Sequence, residues 1–395
     1  MKFQRKEIQH IIFWNITMNN FIHLKTNDDL VYLSINYPNY GRIKNNANAM
    51  AAEFFYNESL DDEFYIKLEQ RAIEITASAS FFDFTFDLVC LKKELKTCLK
   101  AFKTMLNYDD FKNYDLIKDK IKNYFLIHLQ EYDNLAKMRL YENYFQADFK
   151  NDKFGDYENL NEKDFKEYIK NFQNQTNKIV ISANLDEAEL KEVKELLNVG
   201  NSTYESLKTN ESFYKEESKN ISQAFVRFIS SVEINSLKQR AIIGLASYVL
   251  GGGFGSRITE EIRVKRGLAY SAFAFFTAFK KNFLIQGYLQ TKNKSKDEAI
   301  KIVKAEFARL ISDGISEDEF KKAKEFLVGS EILKYATTQN RHLIACSECF
   351  NDLAQGELKQ ITQIIKDLKL CECNELLKSQ TLINNLSFYV ISGNE

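Results

Sequence analysis

The chain has 395 residues, 45% hydrophobic and 13% aromatic, which is enough for more than one core, so two or more domains are expected. A net charge of -1 offers no basis for a nucleic-acid partner or an anionic-membrane surface. One proline and 14 glycines argue against long turn-rich all-β structure and against disordered linkers.

The N-terminus, MKFQRKEIQHIIFWN, is basic, but its apolar run covers only residues 11–14. A secretory signal needs roughly 7–15 apolar residues and a small-residue cleavage site. The longest uncharged stretches, 241–256 and 379–394, are glycine-rich and polar respectively, and both fall short of the roughly 20 apolar residues of a membrane span. The expectation is a soluble, cytoplasmic protein. Six irregularly placed cysteines suit a reducing compartment. Cys98 falls in the apolar series Leu95, Cys98, Phe102, Met105 and reads as core. Cys346 and Cys349 form a CxxC, and Cys371 and Cys373 a CxC. They read as buried or inert thiols rather than zinc ligands, since CxC chelates poorly and neither pair encloses a turn-forming glycine or proline.

In chain order, a strand is expected at 30–36, a helix at 47–56, and a helix and strand through 65–80. A strand at 82–91 and an amphipathic helix at 92–106 follow. Helices are expected from near Asp109, over 133–149 and over 164–172, then a buried strand at 178–182 and a helix at 187–197. The order then restarts, with a strand at 224–231, a helix around Ile242, a strand from Leu268 and another at 282–290. Two capping boxes, Ser295-x-x-Glu298 and Ser316-x-x-Glu319, each open a helix. The motif Asp110-Phe111-Lys112 matches Glu319-Phe320-Lys321, and 178–182 matches 387–391, at one offset. The chain therefore reads as an internal duplication, with the polar stretch 201–220 as a linker and an α+β sandwich in each half.

The densest signal is LASYVLGGGFGSRITEEIRVKRGLAYSAFAFF, residues 245–276. Gly251, Gly252 and Gly253 end one helix; Phe254, Gly255 and Ser256 lead to a second, shorter one bearing Glu260, Glu261 and Arg263; Gly267 precedes a strand. Such a cluster implies close approach of the backbone to a ligand or a packed neighbour. A phosphate loop would need Lys followed by Ser or Thr, and here Ser256-Arg257 follows. The cluster also follows a helix, not a strand, so a dinucleotide fold does not fit. Lys265 and Arg266 read as solvated charges at a helix C-terminus.

The run from Leu250 to Tyr270 resembles, almost residue for residue, a signature of the pitrilysin/insulinase zinc peptidases, which include the mitochondrial processing peptidases. The resemblance extends to the duplicated halves, the polar stretch between them and helix starts such as Ile315-Ser-Glu-Asp-Glu-Phe320. It implies an N-terminal peptidase-like domain over 1–200, a linker over 201–220 and a C-terminal domain over 221–395. Together these duplicated α+β domains would form one half of a clam-shell chamber that holds a peptide in extended form.

Catalytic members carry HxxEH, in which two histidines at i and i+4 share a helix face, bind zinc with a distant glutamate, and place the inner glutamate beside the metal-bound water. The matching positions here are Asn48, Ala51 and Ala52, with Glu53 one residue beyond. No histidine pair occurs at helical spacing among His10, His23, His128 and His342. No third ligand is evident over 119–131, where His128 and Glu131 read as a surface pair. Alanine cannot ligate zinc, so no cofactor is expected in this chain and zinc is expected in a catalytic partner.

In the same family an arginine and a tyrosine seven residues apart hold the substrate backbone and help stabilise the tetrahedral intermediate. The matching residues are Arg263 and Tyr270, both capable of donating to a peptide carbonyl or oxyanion. Spacing alone would equally allow Arg263 to pair with Glu260 and Tyr270 to pack as an aromatic. The resemblance implies a non-catalytic, peptide-binding subunit that pairs with an HxxEH-bearing homologue and supplies Arg263, Tyr270 and Gly251 to Gly255 in trans. The alternatives are an inactive scaffold acting as a homodimer, and an active peptidase with unconventional zinc ligands.

Overall fold

A computed structural model describes residues 20–146, 156–197, 199–200, 202, 207–279, 282–380 and 382–393. The basic N-terminal stretch with His10, residues 147–149 and part of 201–220 lie outside them; the helical run expected to reach 149 ends at Tyr144, where Phe145 turns extended and bridges Thr209.

The first half contains β1 (Phe21–Lys25), β2 (Leu30–Pro38), β3 (Glu74–Ala79), β4 (Asp83–Leu91) and β5 (Lys178–Ala183). Its helices are α1 (Arg42–Glu58), α2 (Asp62–Glu69), α3 (Leu95–Leu106), α4 (Tyr114–His128), α5 (Tyr132–Tyr144), α6 (Glu162–Gln173) and α7 (Glu187–Leu196). The second half contains β6 (Tyr214–Lys219), β7 (Gln223–Ser231), β8 (Ala269–Phe279), β9 (Asn282–Lys292) and β10 (Ser387–Gly393). Its helices are α8 (Leu237–Gly251), α9 (Lys296–Ser312), α10 (Glu317–Gly329), α11 (Glu331–Lys334), α12 (Thr338–Phe350), α13 (Glu357–Asp367) and α14 (Leu370–Ser379).

The two five-stranded sheets run β1-β5-β2-β4-β3 and β6-β10-β7-β9-β8. In each, the outermost strand on one side pairs in parallel and the adjoining pairs are antiparallel. Identical strand order, with α1 and α8 both following the second strand of their half, is the duplication in three dimensions.

Local chemistry explains most elements. β4 alternates buried Phe84, Phe86, Leu88 and Cys90 with more exposed neighbours, the period of a strand with one face on a core. In α3, Leu95, Cys98, Leu99, Phe102 and Met105 form one buried stripe. Asp186 and Ser316 make full capping boxes with Glu189 and Glu319. The box expected at Ser295 does not form, because Asn293–Ser295 is already a tight helical turn. Ser295 therefore sits at φ -102, ψ -2 rather than in the extended conformation a capping side chain needs. The motif match also shifts: Asp110 to Lys112 precede α4, whereas Glu319 to Lys321 lie inside α10.

Two edge strands escape pattern reading. β1 and β6 are short, and β6, inside the stretch read as a linker, is a mostly exposed run of charge. Their registers come from backbone pairing to β5 and β10 rather than from an apolar face.

Each half also lends a helix to the other. α5 packs against β7 and β10, and α12 against β5, β2 and β1. At the first seam the Tyr141 hydroxyl donates to Gln286 Oε1 at 2.7 Å, and Arg227 donates to Asp133 at 2.5 Å. At the second, His342 lies between the hydroxyls of Ser34 and Ser182, each at 2.9 Å, with Cys346 Sγ at 3.5 Å. The buried Lys178 ammonium reaches Asp352 and the Cys349 carbonyl.

Candidate functional site

The glycine-rich segment joins α8 to the edge strand β8, and its residues divide into structural and exposed. A Cβ at Gly251 would lie 2.2 Å from Ala274 N, so the last turn of α8 can touch β8 only with glycine there. Gly252 closes the helix, its N–H bonding to Tyr248 O at 2.9 Å, and a Cβ there would strike Tyr248. A Cβ at Gly255, by contrast, would meet nothing. Phe254, between them, is 81% exposed.

The short helix expected after the glycines is a π-helical turn over Thr259–Val264, closed by a bond from Lys265 N to Glu260 O at 2.9 Å. Such wide turns recur at functional sites because they shift a side chain off the ordinary helical register. The segment is anchored from below. Arg257, buried, donates from Nε and Nη2 to the two carboxylate oxygens of Glu319, each at 2.7 Å, and from Nη2 to Gly314 O at 2.7 Å. Burial would raise the Glu319 carboxyl, but the Arg257 and Ser316 hydrogen bonds outweigh it and hold the group at about 2.

Gly267, at φ +59, turns the chain into β8. The register slips between Ala269 and Ser271, which leaves Tyr270 as the extra residue of a β-bulge. Bulges re-aim a side chain, and Tyr270 is 83% exposed. The Arg263 guanidinium lies 5.4 Å from the Phe254 ring centroid and 5.5 Å from that of Tyr270. Arg263 and Tyr270 are thus brought together, with Phe254 as a third member whose role spacing could not supply. The alternative pairing of Arg263 with Glu260 is not what forms: among the described residues Arg263 makes no ion pair, and its only charged-group contacts are with these rings. Lys265 and Arg266 both bind Glu261, which their hydrogen bonds hold below the ordinary carboxylate range.

The equivalent helix of the first half has a different surface. Ala51 and Ala52 on α1 are fully buried, and Asn48 presents a buried amide oxygen with no partner. One amide and two methyl groups do not fit a zinc ion, which needs three protein donors of imidazole, thiolate or carboxylate type. Glu53 is directed elsewhere, accepting from Ala79 N at 2.8 Å. His128 and Glu131 bond to each other at 2.7 Å, with Tyr124 against the imidazole and Asn134 on the same carboxylate. Among the described residues no group of three or more His, Cys, Asp or Glu could hold a metal ion. Cys346 and Cys349 pack with Ile22 and Val180 of the first sheet, while Cys373 lies in the second core. No helix of the described chain is long and apolar enough to cross a membrane.

Residues 159–327 match the family described as "Peptidase M16 inactive domain". The chain is 30% identical over 342 residues to the "Non-peptidase homolog YmxG" of Helicobacter pylori, an alignment covering 82% of this chain and 79% of that one. The chain belongs to the pitrilysin/insulinase peptidase family. Its fold is that of the family's solved members. The peptidase M16 inactive domain from Pseudomonas fluorescens superposes with a TM-score of 0.79 at 17% identity, covering 95% of each chain. A protease from Helicobacter pylori superposes at 0.75 and 14% identity, covering 94% of this chain and 96% of that one. Within this family the chain is a non-catalytic homologue.

Proposed function

We propose that this chain is the non-catalytic, peptide-binding member of a two-chain zinc peptidase. It would contribute Arg263, Tyr270 and the loop from Gly251 to Gly255 to a chamber whose metal is held by an HxxEH-bearing homologue. The observation that supports this most directly is the guanidinium of Arg263, paired with no carboxylate among the described residues and set between two rings that are each more than four-fifths exposed. An arginine evolved for stability alone would gain more from a carboxylate such as Glu260 than from rings open to water. Here the charge lies against Phe254 and Tyr270, and its N–H groups, with no partner among the described residues, can donate to a carbonyl. The tyrosine hydroxyl, projected by the bulge, would be a second donor to the same oxygen, and a pair of preorganised donors is what a developing oxyanion requires.

The glycine-rich loop has a division of labour in this reading. Gly251 and Gly252 fix the loop against β8 and α8, and Phe254 and Gly255 face the peptide. Co-expression with an HxxEH-bearing homologue should give a complex with peptidase activity. That activity should fall by roughly a hundredfold in Arg263→Ala, the scale for loss of one oxyanion donor, and less in Tyr270→Phe. Unchanged activity in both variants would sink the proposal. Recovery of the native protein only as a homodimer, with no zinc-bearing companion, would replace it with a scaffold role.

A further inference from the structure

An extended peptide is commonly held by pairing with the free edge of a sheet, so the outward-facing backbone groups of each edge strand decide where it can bind. In β3 the Ser80 N–H donates to Asp83 O at 2.8 Å, which sets the phase of the β3–β4 ladder. Even-numbered residues exchange hydrogen bonds with β4, and Ile75, Ala77 and Ala79 turn their N–H and C=O groups outward. Both groups of Ala77 and the N–H of Ala79 are not open. The Asn57 side chain of α1 donates to Ala77 O at 2.9 Å and accepts from Ala77 N at 2.8 Å, as a paired strand would. Glu53, one turn earlier, accepts from Ala79 N at 2.8 Å. The amide of Asn57 has the same donor–acceptor pair as a peptide unit, so it substitutes for one on the edge.

The matching edge of the second half is covered over a shorter part of its length. There Thr259 Oγ1 donates to Ala272 O at 2.9 Å, and the end of α8 abuts Ala274. The same alternation that turns Ala272 and Ala274 outward applies to Phe276 and Ala278, whose outward backbone groups find no partner among the described residues. β8 has 11 residues against six in β3, and the additional length lies beyond the covering helix.

We propose that Asn57 and Glu53 close the first-half edge to strand pairing, so that a peptide in extended form is received along β8 beyond Ala274. The proposal takes from the functional reading above only that the ligand is an extended peptide. It rests otherwise on the two edges.

Hydrogen exchange and peptide binding on the full chain test it, using fluorescein-labelled oxidised insulin B chain as the probe. Asn57→Ala should speed exchange of the Ala77 amide by at least about tenfold, the scale of one lost hydrogen bond. Asn57→Asp, which keeps an acceptor for that N–H, should leave it protected. Freed of its plug, the Asn57→Ala edge should bind the probe at least about threefold more tightly than wild type. Ala278→Pro should weaken binding by a similar factor, because it blocks an outward N–H without breaking the β8–β9 ladder. An Ala77 amide that exchanges equally fast in wild type and Asn57→Ala overturns the proposal. So does a freed edge that binds no more tightly, including the case in which neither form binds, and so does wild-type binding by Ala278→Pro. Weakening by Arg263→Ala reports on the functional reading separately and leaves the wild-type versus Asn57→Ala comparison intact.

Discussion

α1 and α8 occupy the same place in their respective halves, each following the second strand and running along the edge strand, yet their surroundings differ in kind. Around α1 the interior is aromatic. Phe55 packs among Tyr108, Phe111 and Phe165, and Tyr56 among Phe84, Phe86 and Phe172. Around α8 it is more aliphatic, Ile242, Ile243, Leu245, Val249 and Leu250 sharing a core with Ile285, Leu289, Val303 and Leu310, while Tyr248 stacks on Phe326. Where the resemblance aligns the metal motif, α1 has alanines in the core and side chains that seal the neighbouring strand. Where it aligns the arginine and tyrosine, the segment after α8 leaves Tyr270 exposed and Arg263 half-buried against the rings. A duplicated fold can thus turn one copy of a site into packing while the other remains open, because identical strand order leaves the helix surfaces free to diverge.

The most severe way to break this comparison is to write the metal motif back. Asn48→His, Ala51→Glu and Ala52→His together should unfold the first half rather than create a zinc site. Two fully buried methyl positions would have to take a ring and a charge, at a cost of roughly 4 kcal/mol or more. Calorimetry should show a large fall in Tm, and atomic absorption no stoichiometric zinc; a folded variant carrying one zinc per chain would show that α1 remains a catalytic scaffold.

The next largest effect separates the glycines. Gly251→Ala drives a methyl group into the β8 backbone and should cost about 2–3 kcal/mol. Gly255→Ala, which meets nothing, should be close to neutral in urea unfolding. Equal effects would mean that the cluster is not divided into packed and exposed members.

The seam between the halves is expected to be the acid-sensitive region. Burial pushes the His342 imidazole down to about 4. The groups facing it are the Ser34 and Ser182 hydroxyls, the Cys346 thiol and, through Ser34, Asp87. A folded-state value below the ordinary one means that stability is complete above about pH 6.5 and is lost as pH falls toward 4, amounting to about 2 kcal/mol at pH 5. Burial raises the Asp87 carboxyl and acts in the opposite direction. The Arg257–Glu319 pair in the second half should survive until the pH approaches about 2. His342→Gln should flatten the stability profile between pH 7 and 5; a slope that persists in this variant assigns the acid sensitivity elsewhere.

The smallest expected change is at the open site itself. Arg263→Ala and Tyr270→Phe should each shift stability by less than about 0.5 kcal/mol, as substitutions outside the core do. A larger loss would show that the cluster is structural.

Much of this was legible in the chain. The strand at 178–183, the stripe of α3 and the box at Ser316 follow from periodicity and capping, which act within a few residues. The degenerate Asn48, Ala51 and Ala52 and the seven-residue spacing of Arg263 and Tyr270 are equally local, as is the repeat of one design in two halves. β1 and β6 were not legible, since an edge strand of mixed or charged residues owes its register to a neighbour more than 150 residues away. The same holds for the bond from Asn57 to Ala77, the bulge that exposes Tyr270, the placing of Phe254 beneath Arg263, and the exchange of α5 and α12 between the halves. Composition and spacing determined which chemical groups this protein has and lacks. Only the tertiary structure decided which of them face outward, because exposure depends on what the rest of the chain has already covered.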